Sequence, residues 1–434
     1  MKRIIFIVTI FVLAALYSCK KDDNTQQPPT SEYKLSDFEQ SQSCSTCHPQ
    51  YYEEWKGSMH RYATNDPIWM LAGNSLQQST NGKLKDWCFQ CHSPIAFLTK
   101  TSPTTIDIAK LPAIVREGVN CDVCHTLLPP HKTTDQNIFY NIKPGNVKYS
   151  SLINPVPAGA HENGYDASQD RSESCRQCHD LIVNGVPLEM TFTEWQNSPW
   201  AMSVEFDCQD CHMKTYTGRA ATGGPIRENL HRHDFIGVDV AITDFPNKPQ
   251  QRAAIDSLLK NSATLTTNIP ASANLTDSLR IGVTITNDKT GHNLPTSVFF
   301  NRQMWIEVTV SKASDTAYRS GHLDANGDLM DNNSAIAPNA DKDLVIFNGS
   351  LYKNGHPSNA FELDSVVNKS IPPFGFYTAN YTFKVPSSGV WNVKTRLLFR
   401  PFGPYLFRSL GASQYVTELP VFEMNSYETN INIQ

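Results

Sequence analysis

The sequence predicts an α+β chain of two domains, a mostly helical and irregular N-terminal domain followed by an antiparallel β-sandwich of Ig-like size. Three observations carry this expectation. All ten cysteines after Cys19 fall between Cys44 and Cys211, so the two halves of the chain are chemically different. From Leu279 onward, apolar residues alternate with polar ones at the two-residue period of a half-buried strand. Turn-forming clusters such as Asp324-Ala-Asn-Gly-Asp328 and Asn354-Gly355 separate those runs.

The first residues, Met1-Lys2-Arg3 and then an apolar stretch from Ile4 to Leu16, have the plan of an export signal and are too few to span a bilayer. They end Leu16-Tyr17-Ser18-Cys19, which resembles the cleavage box of bacterial lipoproteins, where the cysteine after the cut carries the lipid. Residues 1–18 are therefore expected to be a lipoprotein signal peptide. Residues 19–36 are expected to form a polar tether lipidated at Cys19, since Lys20 to Ser31 has too little apolar content to pack. The mature chain is expected to be exported and membrane-held through its acylated end, on the periplasmic face or the surface of a bacterial cell envelope. A formal net charge of −5 points to no nucleic-acid partner.

The span 37–240 holds five copies of one unit: Cys44-Ser-Thr-Cys47-His48, Cys88-Phe-Gln-Cys91-His92, Cys121-Asp-Val-Cys124-His125, Cys175-Arg-Gln-Cys178-His179 and Cys208-Gln-Asp-Cys211-His212. Residues i, i+3 and i+4 share one face of a helical turn, so two thiols can reach the two vinyl groups of one porphyrin while the imidazole comes under its iron. This is the attachment signature of c-type haem. Zinc sites usually use such cysteine pairs two at a time, and five is odd. Disulfides across a two-residue gap are strained, and iron-sulfur ligation leaves the histidines without a purpose. Five c-type haems are thus expected, each with one axial ligand from His48, His92, His125, His179 or His212. About forty residues per haem is too little chain for an ordinary side-chain core, so the haems themselves are expected to fill the interior.

The second axial ligands must come from elsewhere. Candidate distal histidines are His60, His131, His161, His233 and His292, five for five irons. His231 is the expected spectator beside His233. Met70, Met190, Met202 and Met213 are weaker candidates, because methionine more often fills core gaps. A partial repeat bears on this: Glu54-Trp55-x-x-Ser58-x-His60 is echoed by Glu194-Trp195-x-x-Ser198-x-Trp200, and an indole cannot ligate iron. Either another histidine serves the fourth iron or one haem is left five-coordinate.

The stretches "EEWKGSMHRYA", "EGVNCDVCH", "CQDCHMK" with "HRHDFIG", and "TGHNLPTSVFFNRQMWIEVTV" resemble multihaem cytochromes c of the group that includes the nitrifier tetrahaem cytochrome c and the hydroxylamine oxidoreductases. The resemblance implies distal ligation by His60 and His233 and makes His292, in its Gly-His-x-x-Pro-Thr segment, attractive in the same role. That family contains both electron carriers and enzymes.

A linker helix is expected over residues 241–261, then the β-sandwich over 262–434. Its strands are read at Leu279–Ile285, Met304–Val310, Tyr381–Val385 and Trp391–Leu397, among roughly seven in all. Asp324, Asn326 and Asp328 faintly evoke calcium, but the loop lacks the glycine and terminal glutamate of a calcium hand, so a plain hairpin is expected. His292 sits at the turn after the first of these strands, from which it can reach out to a haem.

The functional reading is a pentahaem lipoprotein that transfers electrons between redox partner proteins of the envelope. The alternative is an oxidoreductase acting on a small nitrogen or sulfur compound, such as nitrite or hydroxylamine, at one open haem. A third reading makes the β-sandwich a binding module and the haems a redox relay. No specific substrate pocket is legible.

Overall fold

Each Cys-x-x-Cys-His unit closes one helical turn, because the histidine N–H reaches the carbonyl of the first cysteine four residues back. In the computed structural model, which describes residues 33–157 and 159–434, this bond is 2.8 Å at His48, 3.2 Å at His92 and 3.1 Å at His179. Cys121–His125 and Cys208–His212 are short helices over their whole length. Signal peptide, Cys19 and the tether as far as residue 32 lie outside the described residues. Among the described residues no helix is long and apolar enough to cross a membrane.

Short helices and loops dominate up to about residue 240. Pro49–Lys56 follows the first motif and begins on proline, whose fixed φ suits a first helical position. Pro67–Ser79 begins on Pro67 too, and the Asp66 carboxylate caps it by accepting the Ile68 N–H at 2.9 Å. Here the structure differs from the expectation of a core made of haem alone. Trp69, Phe89, Ile95, Ile114, Val115 and Val123 belong to a buried apolar cluster around the second and third motifs. The physical reason is length: the chain between the first and third motifs carries only one attachment unit and has residues to spare for packing against each other. The N-terminal domain, expected to be helical and irregular, also holds short strands, Lys132–Thr134, Asn137–Phe139 and Val147–Ser150, the last pairing in parallel with Glu162–Tyr165.

The C-terminal part is built of antiparallel sheets. Gln303–Lys312 lies between Gly389–Arg400 and Asp315–Ser320, and Phe422–Ile433 pairs on the far side of Gly389–Arg400. A second sheet places Leu279–Thr286 between Phe376–Phe383 and Thr264–Asn268. The alternation read from Leu279, Ile281, Val283 and Ile285 is a true inside face, since all four are buried and their neighbours are not. They share one core with Met304, Ile306, Val308, Trp391, Val393 and Leu397 of the other sheet. The helix Lys248–Lys260 adds Ile255 and Leu259 to that core, and Ile68 enters it from the N-terminal half. Tyr33–Gln434 accordingly form one compact unit.

The acidic turn closes as a hairpin. Asp324 N–H donates to the Asp328 carbonyl at 2.8 Å, and Leu323 bridges Leu329. The Asp324 carboxylate accepts from the backbone of Asn326 and Asp328 and from Ser334, while Asp328 is taken by Arg408 and the Tyr405 N–H. These carboxylates are occupied by protein donors.

Leu397 is fully buried between the sheets. Leu397→Ala is expected to destabilise the holo-protein by about 2–5 kcal/mol in denaturant titrations while leaving the visible spectrum unchanged.

Candidate functional site

Four of the five motif histidines give Nδ1 to a backbone carbonyl. The acceptors are Ala220 for His48 at 2.6 Å, Ala63 for His92 at 3.0 Å, Tyr149 for His125 at 2.7 Å and Ile236 for His212 at 2.5 Å. A carbonyl can only accept, so Nδ1 must carry the proton and the lone pair is left on Nε2. This is the usual outer support of a metal-binding imidazole.

Three of these rings face a second imidazole. His48 and His161, His125 and His233, and His212 and His292 each have ring centres 6.2 Å apart, with planes within 25°, 19° and 19° of parallel. Two metal–nitrogen bonds of about 2 Å, added to the distance from each ring centre to its nitrogen, require a separation of about 6 Å. The second rings are supported in the same way. His161, His233 and His292 direct Nδ1 to the carbonyls of Glu162, His231 and Asn293 at 3.0, 3.1 and 3.0 Å. Burial, and then the nearby His125, pushes His233 down to about 3, and burial lowers His125, His212 and His292 as well. Burial thus favours the neutral form of these four rings, the form that binds metal.

His60 stands near His179. It is half-buried, desolvation followed by the neighbouring His179 holds its pKa near 4, and its shielded Nδ1 has no protein partner. An unpartnered buried ring nitrogen is a group short of a ligand. His92 has no imidazole opposite it among the described residues, and its ring neighbour is Trp69 at 5.1 Å. His131 shares the unpartnered buried Nδ1 but is not brought to a motif histidine: its Nε2 meets Ser168 Oγ at 2.9 Å. His231 is spent on the Met213 carbonyl and Asp170, which raises its pKa.

The cysteines fit the same group. All ten described thiols are free, and burial pushes Cys88 and Cys124 up to about 12. Cys44, Cys178 and Cys208 are shifted down instead, each first by a hydrogen bond from the thiol of another motif. No three His, Cys, Asp or Glu side chains among the described residues converge as a zinc cage requires. Thiols of different motifs are neighbours: Cys44 of Cys121, Cys91 of Cys178, and Cys175 of Cys208. The attachment points of motifs one and three, two and four, and four and five are therefore adjacent.

The partial sequence repeat proves to be a duplicated scaffold. In the first copy Ser41 N–H and Oγ both donate to Glu117, and Cys121 N–H donates to Ser41 Oγ. In the second, Ser172 N–H and Oγ both donate to Asp207, and Cys208 N–H donates to Ser172 Oγ. Trp55 Nε1 donates to the Val119 carbonyl and Trp195 Nε1 to the Phe206 carbonyl, each at 2.8 Å. Val119 N–H then donates to the His60 carbonyl and Phe206 N–H to that of Trp200. Motifs one and three are thus built like motifs four and five, with motif two inserted in the first copy. Gly118, at φ +68°, lets that first strap cross His60, where a Cβ would strike the His60 carbonyl.

The glutamate of each copy anchors the loop that carries a facing histidine. Glu54 accepts the His233 N–H at 2.8 Å and Arg232 at 2.9 Å. Glu194 accepts the Asn293 N–H at 3.1 Å, Asn293 Nδ2 at 2.7 Å and Thr296 Oγ1 at 2.5 Å. At its other side the 290–295 loop is tied to the β part, where buried Asn287 donates to the carbonyls of His292 and Ile371. Gly291 allows the close approach, since a Cβ there would come within 3.0 Å of Trp195. The stiff Gly-His-x-x-Pro loop is a bracket held at both ends, which explains a histidine in a β-rich half. Trp200, where the echo lost its histidine, packs beside Phe374 and Phe206 instead.

Among known proteins, residues 43–126, which hold the first three motifs, match the family model for cytochrome c554 and c-prime. A penta-haem cytochrome c552 from Thermochromatium tepidum is 22% identical, covers 91% of this chain and 99% of its own, and superposes with a TM-score of 0.63. The CARDB domain of PF1109 from Pyrococcus furiosus, 9% identical over 40% of this chain and 94% of its own, reaches a TM-score of only 0.18. No curated protein matches. The fold is that of a multihaem c-type cytochrome.

Replacing Glu194 by alanine leaves three donors without their acceptor, a loss on the order of 3 kcal/mol. Hydrogen exchange at the Asn293 amide is expected to accelerate roughly a hundredfold in Glu194→Ala, with the strands of the β part unaffected.

Proposed function

We propose that this chain is a five-haem c-type cytochrome lipoprotein that transfers electrons between redox partners in the bacterial cell envelope. The observation that carries this reading is the recurrence of one imidazole spacing, 6.2 Å, in three histidine pairs drawn from distant parts of the chain. In this reading His48 and His161, His125 and His233, His179 and His60, and His212 and His292 are axial pairs. His131 is left out of the set. The ten cysteines from Cys44 to Cys211 form the thioether links. Bound haem supplies a one-electron ferric/ferrous couple, and paired imidazoles favour a lower potential than an imidazole with a thioether. The neighbouring cysteines of different motifs keep attachment points close, which suits electron exchange without a substrate site.

Residues 37–240 bind the haems, and the region 262–434, read as an Ig-like sandwich, lends His292. Cys19 carries the lipid that keeps the chain at the membrane, on the periplasmic or outer face. The sequence likeness to the tetrahaem cytochrome c and hydroxylamine oxidoreductase group supports the same cofactor chemistry.

One observation favours a second reading, an oxidoreductase for a small nitrogen or sulfur compound. His92 has no facing histidine among the described residues, which makes the second haem the candidate for an open axial position. A ligand such as nitrite or hydroxylamine would bind there, with the four paired sites as its electron supply.

Mass analysis of protein matured in a host with haem-attachment machinery is expected to show five added haems. Electron paramagnetic resonance of the ferric protein is expected to give four low-spin centres and one high-spin centre. His60→Ala, His161→Ala, His233→Ala and His292→Ala are each expected to convert one low-spin centre to high spin, and His131→Ala none. A high-spin signal that nitrite and hydroxylamine leave untouched would remove the enzymatic reading.

A further inference from the structure

His179 departs from the pattern of the other motif histidines. Its Nδ1 meets no backbone carbonyl and faces the Glu189 carboxyl, 4.0 Å from Oε1. Glu189 ends the strand Val186–Glu189, which folds back on Leu181–Val183 directly after the fourth motif, so the hairpin sets the glutamate beside the histidine. It is only 6% exposed. Oε1 accepts the Thr191 hydroxyl at 2.5 Å, and Oε2 has no partner at all. Buried carboxyl oxygens without partners are rare and need a cause. Thr191 meets Thr296 at 2.9 Å, and Thr296 donates to Glu194, so the group is pinned within a buried network that ends at the His292 loop.

We infer that Glu189 is a positioning residue that lowers the potential of the haem held by His179, its carboxyl closing the 4.0 Å gap on haem binding to accept the Nδ1–H that a carbonyl takes in the other four motifs. An acceptor oxygen at Nδ1–H makes an imidazole more basic at its other nitrogen and favours ferric iron, and a carboxyl oxygen does so more strongly than an amide carbonyl when ionised. Both protonation states of Glu189 offer an acceptor oxygen, so the assignment does not hang on its charge. It rests on the reading of His179 as a haem ligand.

The test is potentiometry of the full-length holo-protein, following all five midpoints by optical and paramagnetic signals. In Glu189→Leu one midpoint is expected to rise by a factor of ten or more in the reduction equilibrium, 59 mV for one electron. The other four are expected to stay, and haem content is expected to be unchanged. Glu189→Gln keeps an acceptor oxygen and is expected to move the same midpoint in the same direction by less. Five unmoved midpoints in Glu189→Leu, or all five moving together, overturn the inference. If Glu189→Leu does not mature, Glu189→Gln decides: one raised midpoint supports it and five unmoved ones overturn it. A wild-type protein without five haems would sink the underlying reading, whereas five haems with unmoved midpoints sink the role of Glu189 alone.

Discussion

An imidazole binds a metal only along its lone pair, so two imidazoles that share one ion must point at each other across a fixed gap. That constraint organises this chain. His48 and His161 are 113 positions apart, His125 and His233 are 108 apart, His212 and His292 are 80 apart, yet each pair has the same 6.2 Å separation. Holding rings at that spacing takes order on both sides. Backbone carbonyls fix the rotation of one ring, and anchored loops deliver the other. The helices between are short because their task is to present one turn of Cys-x-x-Cys-His, and a single turn has little stability of its own.

The duplicated scaffold shows how the order is obtained economically. A serine three residues before the first cysteine, an acid ahead of the partner motif, and a tryptophan bonded to the backbone two residues before that motif recur in both copies. The glutamate before each tryptophan then holds a loop bearing a histidine. The copies diverge at one position. His60 of the first copy lies near His179, in the first motif of the second copy. Trp200 occupies the corresponding place in the second copy, and it packs against the β part.

The β part is more than an appendage. Its core is continuous from Ile68 through the helix Lys248–Lys260 to both sheets, and the bracket around His292 is fastened to it by a fully buried asparagine. A loop on so rigid a base reaches its site with little entropy left to lose. Apolar packing in one half of the chain thereby fixes a polar contact in the other.

The five motifs, their chemistry and the alternation of the strands at Leu279–Thr286 and Gln303–Lys312 were legible in the residues alone, because each depends on neighbours four or fewer positions away. The helix at Lys248–Lys260 was legible for the same reason. The Phe422–Ile433 strand was not, since its run of Asn, Ser, Tyr, Glu and Thr has no apolar alternation in its middle, and its pairing along Gly389–Arg400 is what holds that middle. Which histidine meets which motif was likewise beyond the sequence. His131 and His161 lie in similar loops, and nothing local says that one turns to His48 and the other to Ser168. The same is true of Glu189, which belongs to no motif. Covalent attachment is a matter of spacing along the chain, whereas a facing ring is a matter of spacing through the fold, and only the tertiary structure decides the second.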